Sequence, residues 1–512
     1  MRKFILAVCL ALSLHAQTPR SSLQAQPAAR PKPKLVIAIA IDQFRYDYLT
    51  RFRDDYTGGL KRMLDQGAVF TNAHYIHVPT VTAVGHSTFL TGATPAMSGI
   101  IANEWWDHET HKRVTSVSDE STQLLGGTGA GSSPRRLLQS TVGDELKMSG
   151  KGGKVIGVSI KDRSAILPAG HMADGAYWFD GKTGNFVSST YYFPEMPKWA
   201  AELNASRPAD KFAGKDWMGH KMPDSGAALY DAVDGSPYGN ELIQQCALRA
   251  LSAERLGMGA KIDLLGVSYS SNDYVGHKYG PDSPEVRDLA IRVDKLIGEL
   301  LRAAEAQVGA GRLLVVLTAD HGVAPVPEEN QKRNMPGGRL NTQPERDAVE
   351  KTLSARFGQG PWVVDMSEGI FLNTDTIAVR KADVAEVEHA AADALRALPH
   401  IFRVYTRTQL LNGWIANDPV DVRVRNGFNA ARSGNLIVIA DPYWIGGTSG
   451  TTHGAPFDYD THVPILFLGA QIKAGRYHRN VAVNDIAATL ATLLDVETPS
   501  GSVGRVLDEM LQ

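Results

Sequence analysis

Leu35-Val36-Ile37-Ala38-Ile39-Ala40-Ile41-Asp42 is seven apolar residues followed by a carboxylate. A strand with one wet face would alternate apolar and polar residues, whereas an unbroken run of this length implies burial on both sides. Comparable runs recur at 155–160, 262–267, 313–317, 436–439 and 463–468, with helical patterns at 285–305, 381–398 and 485–494 between or beyond them. Apolar strands separated by helices imply an α/β chain: a doubly wound, mostly parallel sheet with helices on both faces. Ligands of such sheets gather beyond the carboxyl ends of the strands, which makes Asp42 the first residue to inspect.

The remaining sequence sorts around that sheet. Stretches 104–150 and 165–240, rich in Gly, Ser, aromatics and turn signals, read as insertions above it, and 335–435 as a smaller α+β cap. The main domain is then 35–334 together with 436–512. At the start, Arg2 and Lys3 precede an apolar run over residues 4–12, too short to span a bilayer and ending near Ala16, as in a cleavable signal peptide at 1–16. Residues 17–34, rich in Gln, Pro, Ala and Ser, read as a flexible leader, and the whole implies a periplasmic or secreted protein.

Bulk properties exclude several classes. With 43% hydrophobic and 21% charged residues the chain has the composition of a soluble globular protein. A formal net charge of −2 offers no basic surplus for duplex nucleic acid, and no later apolar stretch is long enough for a stable membrane span. Two cysteines, of which Cys9 lies in the signal segment, leave Cys246 alone on the helical pattern at 241–255; a single thiol makes neither an internal disulfide nor a thiolate cluster. The oligomeric state stays open.

Polar residues collect at five places beside these elements: Asp42; Pro79-Thr80-Val81-Thr82-Ala83-Val84-Gly85-His86; Asp273-Tyr274-Val275-Gly276-His277; Asp320-His321-Gly322; and Gly450-Thr451-Thr452-His453-Gly454. Singly, each reads as a cap or turn. Together they supply three carboxylates and three imidazoles, the donors a divalent ion such as zinc accepts in a thiolate-poor protein, and six ligands suit two adjacent ions better than one tetrahedral ion.

From about residue 35 to the C-terminus these motifs, in order and approximate spacing, resemble the alkaline phosphatase superfamily. The likeness is to its nucleotide pyrophosphatase/phosphodiesterase-like branch, and within that to the phosphate-irrepressible periplasmic alkaline phosphatases. The resemblance implies two Zn²⁺ ions, one held by Asp273, His277 and His453, the other by Asp42, Asp320, His321 and the Thr82 hydroxyl. It implies Thr82, the second threonine of Pro-Thr-x-Thr-x-x-Gly-His, as nucleophile and Asn103, Lys161 and Arg163 as phosphoryl-oxygen ligands. Thr82 also stands where a helix begins, a place that favours anions. Lys161 and Arg163 alternate, which on an extended segment puts both side chains on one side. A monoester carries one more negative charge than a diester, so two cations at that point favour it.

The implied substrates are small-molecule phosphate monoesters, with a phosphodiesterase or nucleotide pyrophosphatase as the alternative on the same metals. A sulfatase would require a Cys/Ser-x-Pro-x-Arg signature, which Thr82 does not occupy. His74, His77, His86, His108, His111, His171 and His462 fall outside the ligand set, and Trp105 and Trp106 either pack or line the cleft mouth.

Overall fold

The computed structural model describes residues 32–469 and 471–511. The expected signal peptide and the leader up to residue 31 lie outside them. An 11-stranded sheet runs through the molecule. Its centre is five parallel strands in the order β4 (Leu313–Thr318), β1 (Leu35–Ile41), β3 (Ile262–Tyr269), β2 (Gly152–Ser159) and the strand Gly175–Asp180. Every residue of β1, β3 and β4 is buried, as the unbroken apolar runs require. The apolar core on both faces includes the 25-residue helix Pro284–Val308 and the helix Asp485–Leu494, both at the sites of the sequence periodicity.

The sheet differs from expectation at its edges. It is mixed rather than mostly parallel throughout: β5 (Ile465–Gly469) pairs antiparallel with β4, and beyond Gly175–Asp180 the strands Asn185–Ser189, Ser118–Leu125 and Ala130–Ser132 pair antiparallel in turn. Part of the stretches expected above the sheet therefore extends it. Their Gly- and Ser-rich turns let hairpins add strands at an edge, where no crossover helix is needed. The apolar run at 436–439 is a strand, Leu436–Ala440, but it pairs with Ile401–Thr406 outside the main sheet. Leu436 packs with Val349, Leu353, Trp362, Val387 and Leu395 in a separate apolar cluster. Apolarity reports that a strand is covered, not what covers it.

Helix α1 (Thr82–Thr91) is buried along its whole length, which explains why its sequence shows no polar face. Its Gly85 lies against the β4 exit: a Cβ there would stand 2.0 Å from the Asp320 carbonyl oxygen. Cys246, inside the helix Pro237–Ala253, is free and buried, and burial pushes its thiol up, so it is an inert core residue. Among the described residues no helix is long and apolar enough to cross a membrane.

Gly85→Ala should move α1 off the Asp320–His321 segment, cost about 1–3 kcal/mol by overpacking, and lower turnover. Denaturant unfolding beside steady-state rates checks both.

Candidate active site

Four parallel strands deliver the site. Asp42 follows β1, Lys161 follows β2, Asp273 stands in the first turn of helix α3 (Ser271–Tyr279) after β3, and Asp320 and His321 follow β4. Because β5 runs antiparallel to β4, the segment preceding it, with His453, arrives at the same sheet edge. Thr82 enters from the start of α1, with Val81 extended before it. Chain-distant residues thus meet where the topology directs them.

Two groups of potential cation ligands form there. In the first, the Asp273 Oδ1 atom lies 3.1 Å from His277 Nε2 and 3.5 Å from His453 Nε2. In the second, His321 Nε2 lies 3.5 Å from Asp42 Oδ1, 3.4 Å from Asp320 Oδ2 and 3.5 Å from Thr82 Oγ1. Ligands at zinc–nitrogen and zinc–oxygen distances on a tetrahedron are separated by about 3.3–3.4 Å, so both groups have the spacing of ligands around one ion. Asp42 Oδ1 and Asp320 Oδ2 are buried and make no hydrogen bond, the latter with His86 Nδ1 3.1 Å away, and they lie 3.5 and 3.4 Å from His321 Nε2. Asp273, His277 and His453 converge within 4.8 Å, as do Asp42, Asp273 and His321, so Asp273 stands with its expected partners and also borders the second group.

The imidazoles are oriented by their far nitrogens. His277 Nδ1 is 2.7 Å from the Thr451 carbonyl, His453 Nδ1 is 2.8 Å from that of Thr80, and His321 Nδ1 is 2.9 Å from that of Gly322. A carbonyl oxygen can only accept, so each Nδ1 holds a proton and each ring presents Nε2 to the site, the orientation of metal-binding histidines. Against burial, the neighbouring Asp273 holds His277 above the imidazole range, so a metal ion there would displace its Nε2 proton. Burial holds the His321 pKa down to about 3, so that ring is neutral.

Charge is the dominant feature. Lys161, 5% exposed, donates to Asp42 Oδ2 and Asp273 Oδ2 at 2.6 Å each, and its Nζ is 3.5 Å from Thr82 Oγ1. Burial lowers its pKa, but Asp273 and Asp42 outweigh that and hold it above the lysine range. Burial and the neighbouring Asp320 hold Asp42 well above the carboxylate range. Burial also opposes ionisation of Asp320 and Asp273, yet His321 and His86 hold Asp320 down, and Lys161 and His277 hold Asp273 down. Ionising all three buried carboxyl groups beside one ammonium carries a cost, visible in the raised Asp42, that divalent cations would offset; the donor set fits two such ions.

The phosphoryl ligands implied by the sequence fare differently. Asn103 Oδ1 accepts from the Ala83 N–H at 2.8 Å, which sets the amide beside the first turn of α1. Lys161 is central. Arg163 lies in the first turn of helix α2 (Asp162–Ala169), so the extended geometry expected for 161–163 does not hold: the chain turns helical directly after Lys161. The Arg163 Nη1 atom is 3.5 Å from Asp162 Oδ1, and its Nε is buried without a partner. Trp105 is buried in an apolar cluster with Trp106 packed against it.

Three side chains escaped the motif reading. His86 donates from Nδ1 toward the Thr82 carbonyl at 2.9 Å and lies 3.1 Å from Asp320 Oδ2, with Nε2 2.8 Å from Ser268 Oγ. Tyr274 presents its ring to the Lys161 ammonium at 5.1 Å. Gln43 contacts both ligand groups through its backbone and its amide. His86 sits in the nucleophile motif and Tyr274 between two ligands, a positional signal; Gln43 carried none beyond its place after Asp42. His462 stacks between His74 and Tyr46, away from both groups.

The family model for type I phosphodiesterase/nucleotide pyrophosphatase matches residues 36–461. The alkaline phosphatase PhoV of Synechococcus elongatus is 35% identical over 99% of this chain and 98% of its own length. The alkaline phosphatase PafA of Elizabethkingia meningoseptica is 35% identical over 94% and 95%. A crystal structure of wild-type PafA superposes with a TM-score of 0.89 at 34% identity, covering 94% of this chain and 100% of that one.

Removing divalent cations with a chelator should lower the melting temperature. Restoring Zn²⁺ should recover it, through a stabilisation of roughly 4 kcal/mol per site at about a 1,000-fold excess over Kd. Elemental analysis should return two ions per chain, and one would contradict the double ligand set.

Proposed function

The chain belongs to the type I phosphodiesterase/nucleotide pyrophosphatase family, and within it we propose that Thr82 is the nucleophile of an alkaline phosphatase with two zinc ions. The chain is a phosphoric monoester hydrolase, as its near-full-length relatives are. The observation that carries our reading of the site is the ring of Asp42, Asp320, His321 and Thr82 oxygen and nitrogen atoms at ligand–ligand spacing, with a second group one carboxylate away.

Asp42, Asp320, His321 and Thr82 would hold one zinc, and Asp273, His277 and His453 the other. Bound there, zinc supplies Lewis acidity, which lowers the pKa of a coordinated oxygen and neutralises charge on a phosphoryl group. Thr82 attacks phosphorus in line, giving a phosphothreonine and the free alcohol, and water then hydrolyses the phosphothreonine from the leaving-group side. Two inversions retain configuration at phosphorus. His86, hydrogen-bonded to the Thr82 carbonyl and beside Asp320, fixes the first turn of α1. Asn103, anchored through Oδ1 on Ala83, keeps its amide protons to donate to a non-bridging oxygen.

Lys161 and Arg163 set the preference for monoesters. The Lys161 ammonium is already 3.5 Å from the attacking oxygen, and Arg163 has no strong ion pair to give up. Cations directed at the non-bridging oxygens stabilise a dianionic monoester more than a monoanionic diester. The family description favours a second reading, phosphodiester or pyrophosphate hydrolysis on the same site, which the paired cations argue against.

Residues 335–435 form a cap, a reading supported by an apolar cluster that gathers their helices and also takes in Leu436 and Val438 of the strand that follows. Residues 1–16 act as a signal peptide that exports the chain to the periplasm or beyond, a reading supported by the basic start and short apolar run.

Thr82→Ala should reduce monoester turnover on the order of 10⁴-fold or more, and near-normal activity would remove Thr82 as nucleophile. Replacing Lys161 and Arg163 together should depress aryl phosphate hydrolysis by about 10²–10³-fold while aryl phosphodiester hydrolysis falls far less. Equal losses would refute their discriminating role, and an unaltered enzyme that prefers the diester or an aryl sulfate would overturn the monoesterase reading.

A further inference from the structure

Gln43 is buried and stands at φ 59°, the left-handed region that side chains other than glycine adopt at a cost. A polar residue held buried in such a conformation must be over-determined by its surroundings. Its backbone N–H donates to Asp320 Oδ1 at 3.0 Å. Its side-chain Nε2 donates to Asp273 Oδ1 at 2.6 Å, the same oxygen that His277 and His453 approach. One residue thus reaches a carboxylate of each ligand group, by two different donors. The amide is oriented by more than that carboxylate: Nε2 is also 3.4 Å from the Asp273 backbone carbonyl, which can only accept, so Oε1 cannot take its place.

The opposite wall is shaped to admit it. Gly276 lies in α3 between Asp273 and His277, and a Cβ there would stand 1.8 Å from Gln43 Oε1. Helical glycine is unfavourable relative to alanine, so this position gives up helix stability for room. Gly276 and the left-handed backbone at residue 43 have one common explanation, which is the placement of the Gln43 amide.

We infer that Gln43 is a positioning residue that couples the two metal centres, holding the Asp273 carboxylate in register with Asp320 so that filling one centre orders a ligand of the other. The inference rests on the two-zinc reading of the site. Gln43→Gly relieves the backbone strain and keeps the N–H bond to Asp320, but removes the tie to Asp273. Gln43→Glu keeps size and shape while replacing the donor with an acceptor. Gly276→Ala intrudes on the amide from the other side.

Each full-length variant is stripped with a chelator, titrated with Zn²⁺ against a chromophoric chelator, and melted in both metal-free and zinc-loaded forms. The unaltered protein should take up two ions in one steep transition. Gln43→Gly and Gln43→Glu should take them up in two separated steps, one weakened about 10–100-fold, with the metal-free melting temperature of Gln43→Gly unchanged or higher. Gly276→Ala should separate the steps in the same way, although alanine favours the helix. Single-transition binding at the original affinity in the two Gln43 variants would overturn the inference, as would a fall in the metal-free melting temperature of Gln43→Gly with its zinc affinities intact. Fewer than two ions on the unaltered protein would instead remove the two-zinc reading on which the inference stands.

Discussion

Asp42, Asp273 and Asp320 are buried together at one edge of a sheet, and like charges removed from water repel far more strongly than exposed ones. Nothing apolar in their surroundings relieves that. The fold answers with every positive or donating group it can bring to bear: the Lys161 ammonium between Asp42 and Asp273, His86 against Asp320, and the Gln43 backbone and amide on Asp320 and Asp273. Even so, Asp42 is held well above the carboxylate range, and its Oδ1 is buried without a hydrogen bond. A buried site with this many carboxyl groups is arranged for cations, and its histidines, oriented through Nδ1, turn Nε2 toward the place where those cations belong.

The convergence depends on strand direction. Parallel strands deliver their carboxyl ends to one edge, and that accounts for Asp42, Lys161, Asp273 and the Asp320–His321 pair. His453 precedes its strand, and a sixth parallel strand would have carried it to the far edge, a full strand length away. The antiparallel pairing of Ile465–Gly469 with Leu313–Thr318 is therefore functional as well as structural, since it is what completes the Asp273–His277–His453 group. The close approach of α1 to Asp320 at Gly85 does the same for Thr82.

Much of this was legible in the sequence, because burial on two faces writes an unbroken apolar run and the central strands stand where those runs lie. The runs carry no direction and no partner, so the antiparallel edges and the outlying strand Leu436–Ala440 could not be read from them. The candidate ligands were legible as motifs, since a metal needs particular donor atoms. How closely the two groups adjoin was not: Asp273 also stands within reach of Asp42 and His321 while Gln43 and Lys161 bond its two oxygens, and contacts between residues more than a hundred positions apart leave no local signature. Arg163 illustrates the opposite error, where an alternating pattern suggested a continuing strand but Lys161 already caps a helix.

On the proposed reading, the same crowding of carboxyl groups also bears on the choice of substrate. A buried ammonium must have an anionic partner, and in this structure Lys161 is held by Asp42 and Asp273, within 3.5 Å of the Thr82 hydroxyl. Divalent ions on the Oδ1 atoms of those carboxylates would draw on their negative charge, weaken their hold on the ammonium through Oδ2, and free its charge for the nearest other anion. A phosphoryl group on or approaching Thr82 is in that position, and a dianion meets the demand more completely than a monoanion. Selectivity for monoesters then follows from the buried electrostatics of the metal ligands themselves. A neutral residue in place of Lys161 would leave the carboxylates to their ions and take from the substrate the one cation that the site already holds beside the nucleophile.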